Sequence, residues 1–158
     1  MKNILFILFL VFTSSVSNSQ NDSLPPPEAY FSAIIVSDIE SSIKWYSNIF
    51  GFKVLKSVES KERGFKQANL KRENTLIELI ELNSSVTPES LLESYPKKTK
   101  INGFFKFGFL ISEFDKWVNF LKQSKVQFNG TVVIDPISGK KTLLVKDPDG
   151  NRIQLFEK

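Results

Sequence analysis

The chain has 158 residues, 41% of them hydrophobic, with 21 Lys and Arg against 17 Asp and Glu and with neither His nor Cys. That length can bury one good core and is too short for two ordinary domains. A net charge of +4 steers partners only weakly, and the missing Cys and His exclude disulfides, thiol chemistry, a lipid-accepting cysteine and any imidazole ligand.

Residues 1–19 differ in kind from the rest. Lys2 gives a short basic start, Ile4 to Phe12 is an unbroken apolar run, and Ser17-Asn18-Ser19 is a small-x-small site followed by Gln20. This pattern predicts a secretory signal peptide, too short for a stable bilayer anchor, and hence an exported protein, periplasmic or extracellular, with no membrane contact after cleavage. The alternatives are a buried N-terminal strand or an uncleaved anchor. A proline-rich lead-in then covers residues 20–28, with Pro25-Pro26-Pro27 at its end.

Tyr30 to Val36 reads as a strand, with Phe31, Ala33 and Ile35 on one face and Ser32, Ile34 and Val36 on the other. Ser37 or Asp38 caps a helix whose apolar stripe is Ile39, Ile43, Tyr46 and Phe50. Gly51 stands where a helix end needs positive φ. Three strands follow: Phe52 to Val58, Gly64 to Leu70, and Thr75 to Leu82. Asn83 to Asn102 is long for a simple connection, with a short helix at Ser90 to Tyr95 and lysines at Lys97, Lys98 and Lys100. No aromatic residue interleaves these lysines or Lys140-Lys141, so they read as loop surface and no nucleic-acid partner is expected.

The pattern then restarts. Phe104 to Ile111 is a strand, with Phe105, Phe107, Phe109 and Ile111 on one face and Phe104, Lys106, Gly108 and Leu110 on the other. Ser112 is the expected cap of a helix striped by Phe114, Val118 and Leu121, with Asp115 completing a weak capping box. Short strands are expected at Val126 to Phe128 and Thr131 to Ile134. Thr142 to Lys146 and Arg152 to Glu157 flank the turn Asp147-Pro148-Asp149-Gly150-Asn151. That turn lacks most ligand positions of a calcium loop and reads as structural. Gly64 and Gly108 mark bends or close backbone approach. Setting Asp38 on Glu113 superposes Ile34 on Phe109, Val36 on Ile111, Ile39 on Phe114 and Ile43 on Val118. Two copies of one small unit would thus stack into a single core.

The segments Ile35-Val36-Ser37-Asp38-Ile39-Glu40-Ser41-Ser42-Ile43-Lys44-Trp45-Tyr46 and Phe50-Gly51-Phe52, with the later DPDGNRIQL at Asp147 to Leu155, resemble the vicinal oxygen chelate superfamily. That group includes glyoxalase I, the bleomycin- and fosfomycin-resistance proteins and the extradiol dioxygenases. The resemblance implies an α+β fold: two tandem βαβββ modules forming a curled mixed sheet, a half-barrel, around a central cup. Module one would span 29–82, a linker 83–103 and module two 104–157, within one domain over 29–157. Enzymes of the family hold a divalent metal in the cup. Matched one at a time, the ligand positions fall at Phe31, Glu78, Lys106 and Gln154.

Those side chains suit a metal poorly. Phe31 has no lone pair, Lys106 is a donor only, and Glu78 with Gln154 supplies two oxygen ligands where three or more are usual. No metal or other cofactor is therefore expected, nor the family's usual glyoxalase or dioxygenase chemistry. Strand parity puts Glu78, Lys106 and Gln154 on inward faces, and the expected arrangement is a Lys106–Glu78 pair across the cup with Gln154 beside it. Phe31, Gln67, Glu78, Lys106, Arg152 and Gln154 would line a site for a small organic ligand. Two other functions stay open: a lyase or isomerase using Glu78 as base and Lys106 as electrophile, or a structural or interaction domain whose cup is filled by Phe side chains. Trp45 and Trp117 are expected to pack against the sheets or a partner subunit. A homodimer is compatible with the sequence and not fixed by it.

Overall fold

The computed structural model describes residues 29–87, 93–96 and 103–158. The leader, the lead-in at 20–28, the lysines at 97, 98 and 100, and the first half of the short helix expected at Ser90 to Tyr95 lie outside the described residues.

The first module runs β1 (Ser32–Val36), α1 (Ile39–Phe50), β2 (Lys53–Ser60), β3 (Phe65–Arg72) and β4 (Thr75–Leu82). Its four-stranded sheet has the order β1-β4-β3-β2, with β1 and β4 parallel and the other pairs antiparallel. The second module runs β5 (Phe107–Ile111), α2 (Phe114–Gln123), β6 (Gln127–Phe128), β7 (Val133–Ile134), β8 (Lys141–Lys146) and β9 (Arg152–Glu157). Its sheet has the order β5-β9-β8-β6, with β7 also on β8 and with β5 and β9 parallel. In each module the first strand thus lies parallel beside the last, and the helix carries the chain across to the far edge of the sheet.

Local chemistry explains the elements. Asp38 accepts the Ser41 N–H at 2.8 Å and starts α1. Gly51, at φ +66°, ends it, its amide donating to the Ser47 carbonyl and the Phe52 amide to the Tyr46 carbonyl. Alternation splits each sheet into two faces. Ile34, Val36, Ala68, Leu70, Ile77 and Leu79 are buried on one face of the first sheet, and Leu143, Val145, Ile153 and Leu155 on one face of the second. These meet α1 and α2 in one core shared by both modules. Phe50 and Phe52 of the first module meet Phe109 of the second, at ring-centroid distances of 5.2 and 6.0 Å.

A buried polar latch also joins the modules. Tyr46 of α1 is fully buried and donates its hydroxyl to Asp147 at 3.0 Å. Asp147, at 3% exposure, also accepts the amides of Asp149 and Asn151 and the Asn151 side chain. The next acidic residue of the turn, Asp149, accepts both the amide and the hydroxyl of Ser37. The β8–β9 turn is thereby pinned to the β1–α1 junction. Burial raises the Asp147 pKa, against the opposing pull of its Asn151 and Tyr46 hydrogen bonds. Burial also keeps the Tyr46 phenol protonated, as its donor role needs.

Three local expectations are corrected. The strand expected from Phe104 begins at Phe107, the first residue that pairs with β9, opposite Ile153. Phe105 accordingly leaves the Phe107–Phe109 face. Ser112 does not cap α2: Glu113 occupies the cap position at φ 57° without a side-chain cap bond. The Asp115 carboxylate instead takes the Lys141 ammonium at 2.9 Å, so no capping box forms. The strand expected at Thr131 to Ile134 shortens to Val133–Ile134, the two residues that pair with β8.

Candidate functional site

The sheet faces turned away from the core carry the predicted site residues. On the first sheet the register sets Ala33 and Asn69 beside Glu78, and Ile35 and Gln67 beside Ile80, all on one face. Gln67 donates its side-chain amide to the Glu78 carboxylate at 2.7 Å and to Asn69 at 3.0 Å. Glu78, Gln67 and Asn69 are half-buried.

On the second sheet Gly108 and Leu144 flank Gln154. The Lys106 ammonium donates to the Gln154 side-chain oxygen. The Gln154 amide donates to the Thr142 hydroxyl at 2.8 Å, and that hydroxyl donates to the Leu155 carbonyl at 2.8 Å. Every polar atom in this relay has a partner, so the Gln154 amide orientation is fixed by its neighbours. Arg152 lays its guanidinium over the Phe105 ring, 4.7 Å from the centroid. Its Nε is buried without a hydrogen-bond partner among the described residues.

The expected Lys106–Glu78 pair is not formed. Each residue is satisfied within its own sheet, Glu78 by Gln67 on the adjacent strand and Lys106 by Gln154. No hydrogen bond or ion pair joins the two among the described residues. Lys106 also precedes β5 and is exposed, so its ammonium stays hydrated and needs no buried counter-ion. Phe31 lies just before β1, half exposed, with its ring edge-on to Tyr30 at 5.3 Å. The predicted residues therefore form two polar clusters, Gln67-Asn69-Glu78 and Lys106-Gln154-Thr142, with Arg152 and Phe105 beside the second.

Asn69, Thr142 and Phe105 were not anticipated. The hairpin turn at Glu73-Asn74 fixes Asn69 opposite Glu78, so register counted back from that turn could have found it. Thr142 and Phe105 carry no such signal. Ile35 remains 54% exposed and Leu110 66% exposed on these open faces.

As donors, the four positions matched to the family's metal ligands are an apolar ring, a carboxylate engaged by Gln67, an ammonium engaged by Gln154, and that amide itself. No group of three or more Asp or Glu side chains placed to hold a metal ion occurs among the described residues.

A βαβββ unit and a second like it, whose outer strand is split into β6 and β7, each have the first strand beside the last, share one core and leave polar clusters on their open faces. The chain belongs to the Glyoxalase/Bleomycin resistance protein/Dioxygenase superfamily, whose family model matches residues 30–155. It is 29% identical over 125 residues to the uncharacterized protein YwkD of Bacillus subtilis (strain 168), covering 79% of this chain and 92% of that one. Among solved structures, a glyoxalase family protein from Enterococcus faecalis superposes with a TM-score of 0.71 at 22% identity, covering 82% of this chain and 97% of that one. The trypanothione-dependent glyoxalase I of Leishmania major superposes with a TM-score of 0.60 at 19% identity, covering 83% and 87%. At these identities the structural likeness is one of fold.

Proposed function

We propose that this protein is an exported member of the superfamily that binds a small organic ligand without a metal ion. The observation that carries the reading is the pair of ordered, partly open polar clusters. Gln67 fixes the Glu78 carboxylate, and Gln154 fixes the Lys106 ammonium, so both charges are pre-oriented before a ligand arrives. Pre-orientation lowers the entropic cost of binding. Arg152 and Phe105 add a cationic and aromatic contact beside the second cluster.

Donor chemistry supports binding without metal. A divalent cation would have to strip Glu78 from Gln67, approach an ammonium, and find no lone pair at Phe31. These residues do not fit the metal the family's enzymes carry. Export is inferred from the apolar leader at Ile4 to Phe12 and its small-x-small site.

Native mass spectrometry of the mature protein, purified without chelators, tests the reading. The expected spectrum shows a non-metal adduct that disappears in the Glu78→Gln/Lys106→Met double variant. A stoichiometric metal adduct, or an organic adduct unchanged in the double variant, would overturn it.

A further inference from the structure

A cavity lies apart from both clusters, where Phe50 of α1 meets Trp117 of α2. It is a cleft of about 570 Å³ between the modules, and neither Glu78, Lys106 nor Gln154 lines it. That size is within the range that holds small organic ligands. Its wall is aromatic. Phe50 and Trp117 stack with centroids 5.9 Å apart and planes 25° apart, and Phe109 meets Phe50 at 5.2 Å. The last residue of β3, Arg72, lies at its edge. The Arg72 guanidinium is held over the Trp117 ring, 5.6 Å from the centroid, and donates to the Phe50 carbonyl. Lys158 lines the same cleft. Neither Arg72 nor Lys158 pairs with a carboxylate among the described residues.

We propose that this cleft binds a small aromatic monocarboxylate. The aromatic wall matches a ring, through offset or edge-on contact. The guanidinium is already oriented by stacking and by one hydrogen bond, and its remaining N–H groups form the planar fork that suits a carboxylate. Lys158 adds a second positive charge. Glu73 and Glu113 also line the cleft, Glu113 already paired with Lys116, and their negative charge disfavours phosphate esters and dicarboxylates. The inference is independent of the proposed ligand at the polar clusters, since the two sites share no lining residue named above.

The test is a titration of the ¹⁵N-labelled protein with phenylacetate, followed at the two tryptophan indole N–H resonances, with phenethylamine and acetate as comparison ligands. The Trp117 signal should shift saturably with phenylacetate and the Trp45 signal should not. Phenethylamine lacks the carboxylate and acetate lacks the ring, so each should bind at least about ten-fold more weakly. Arg72→Met should weaken phenylacetate binding by a similar factor. Because Arg72 also holds the Phe50 carbonyl, Lys158→Met provides a second variant, which should weaken binding several-fold at an unchanged melting temperature. Glu78→Gln should leave it unaltered, which separates this site from the polar clusters. No saturable shift at Trp117, equal binding of phenethylamine, or full affinity in both Arg72→Met and Lys158→Met would overturn the proposal.

Discussion

Replacing Tyr46 with Phe removes one oxygen from the centre of the molecule and leaves the ring in place. The ring keeps its edge-on contacts with Trp45 at 4.9 Å and Phe52 at 6.2 Å, so no cavity opens beyond the lost hydroxyl. What is lost is the 3.0 Å hydrogen bond to Asp147, a carboxylate 3% exposed. A hydrogen bond to a charged group contributes about 1.5 to 3 kcal/mol. Asp147 keeps three other donors from Asp149 and Asn151, so the middle of that range, about 2 kcal/mol, is the expected loss. For a domain of this size that lowers the melting temperature by roughly 5 to 10 °C. The urea midpoint should fall with the slope unchanged, because the exposed surface is the same. The loss should also depend on pH. Burial raises the native pKa of Asp147 above its unfolded value, so the native state holds the proton to higher pH. This group's stabilisation is full below the unfolded pKa and fades as pH rises through the native pKa. The Tyr46 hydroxyl lowers that native pKa, and its removal raises it further. The gap between wild type and Tyr46→Phe should therefore be widest near neutral pH and narrow under acid. Urea unfolding at several pH values reads both effects. A loss below about 0.5 kcal/mol at neutral pH, smaller than a single neutral hydrogen bond, would refute the latch.

Glu81 offers the opposite pH signature. It accepts the Lys66 ammonium at 2.8 Å and the Ile39 amide at 2.8 Å at the start of α1, and these lower its pKa. Its contribution is present above the ordinary glutamate pKa and lost as pH falls through the native value. Glu81→Gln should thus be less stable than wild type at neutral pH, with the difference vanishing toward acid in thermal melts. Gly108→Ala should destabilise by about 1 to 3 kcal/mol, because the added Cβ would stand 2.8 Å from the Gln154 carbonyl oxygen, a backbone atom that cannot swing away. Denaturant titration checks it, and a neutral outcome would mean that β5 and β9 lie further apart than described. A double-mutant cycle on stability should give Glu78→Gln and Lys106→Met a coupling below about 0.3 kcal/mol, as for independent sites. Gln154→Leu should couple to Lys106→Met more strongly, and equal coupling in the two cycles would contradict the separation of the clusters.

The architecture was largely legible because periodicity reports on burial, and burial here follows the helix-packed face of each sheet. The α1 boundaries, Ile39 to Phe50, could be read from Asp38 and Gly51, which supply the cap and the positive φ that a helix end requires. The superposition of Asp38 on Glu113 also held, since both occupy helix cap positions. What was not legible depends on partners distant in the chain. Parity placed Glu78, Lys106 and Gln154 on inward faces, but parity says nothing of which polar group lies within reach. Glu78 met Gln67, one strand away, before it could meet Lys106. Ser112 looked like a cap by type, yet the backbone enters α2 through a left-handed Glu113, and Asp115 is drawn off to Lys141. The buried Tyr46–Asp147 contact joins residues far apart in sequence, and the DPDGN turn revealed its shape without revealing what it is tied to.

The most direct test of the central claim is a calorimetric titration of Zn²⁺ and Ni²⁺ into the chelator-treated protein. The account predicts no saturable heat from either ion, because Glu78 alone among the matched positions offers an anionic ligand. One-to-one binding of either metal that Glu78→Gln abolishes would contradict it.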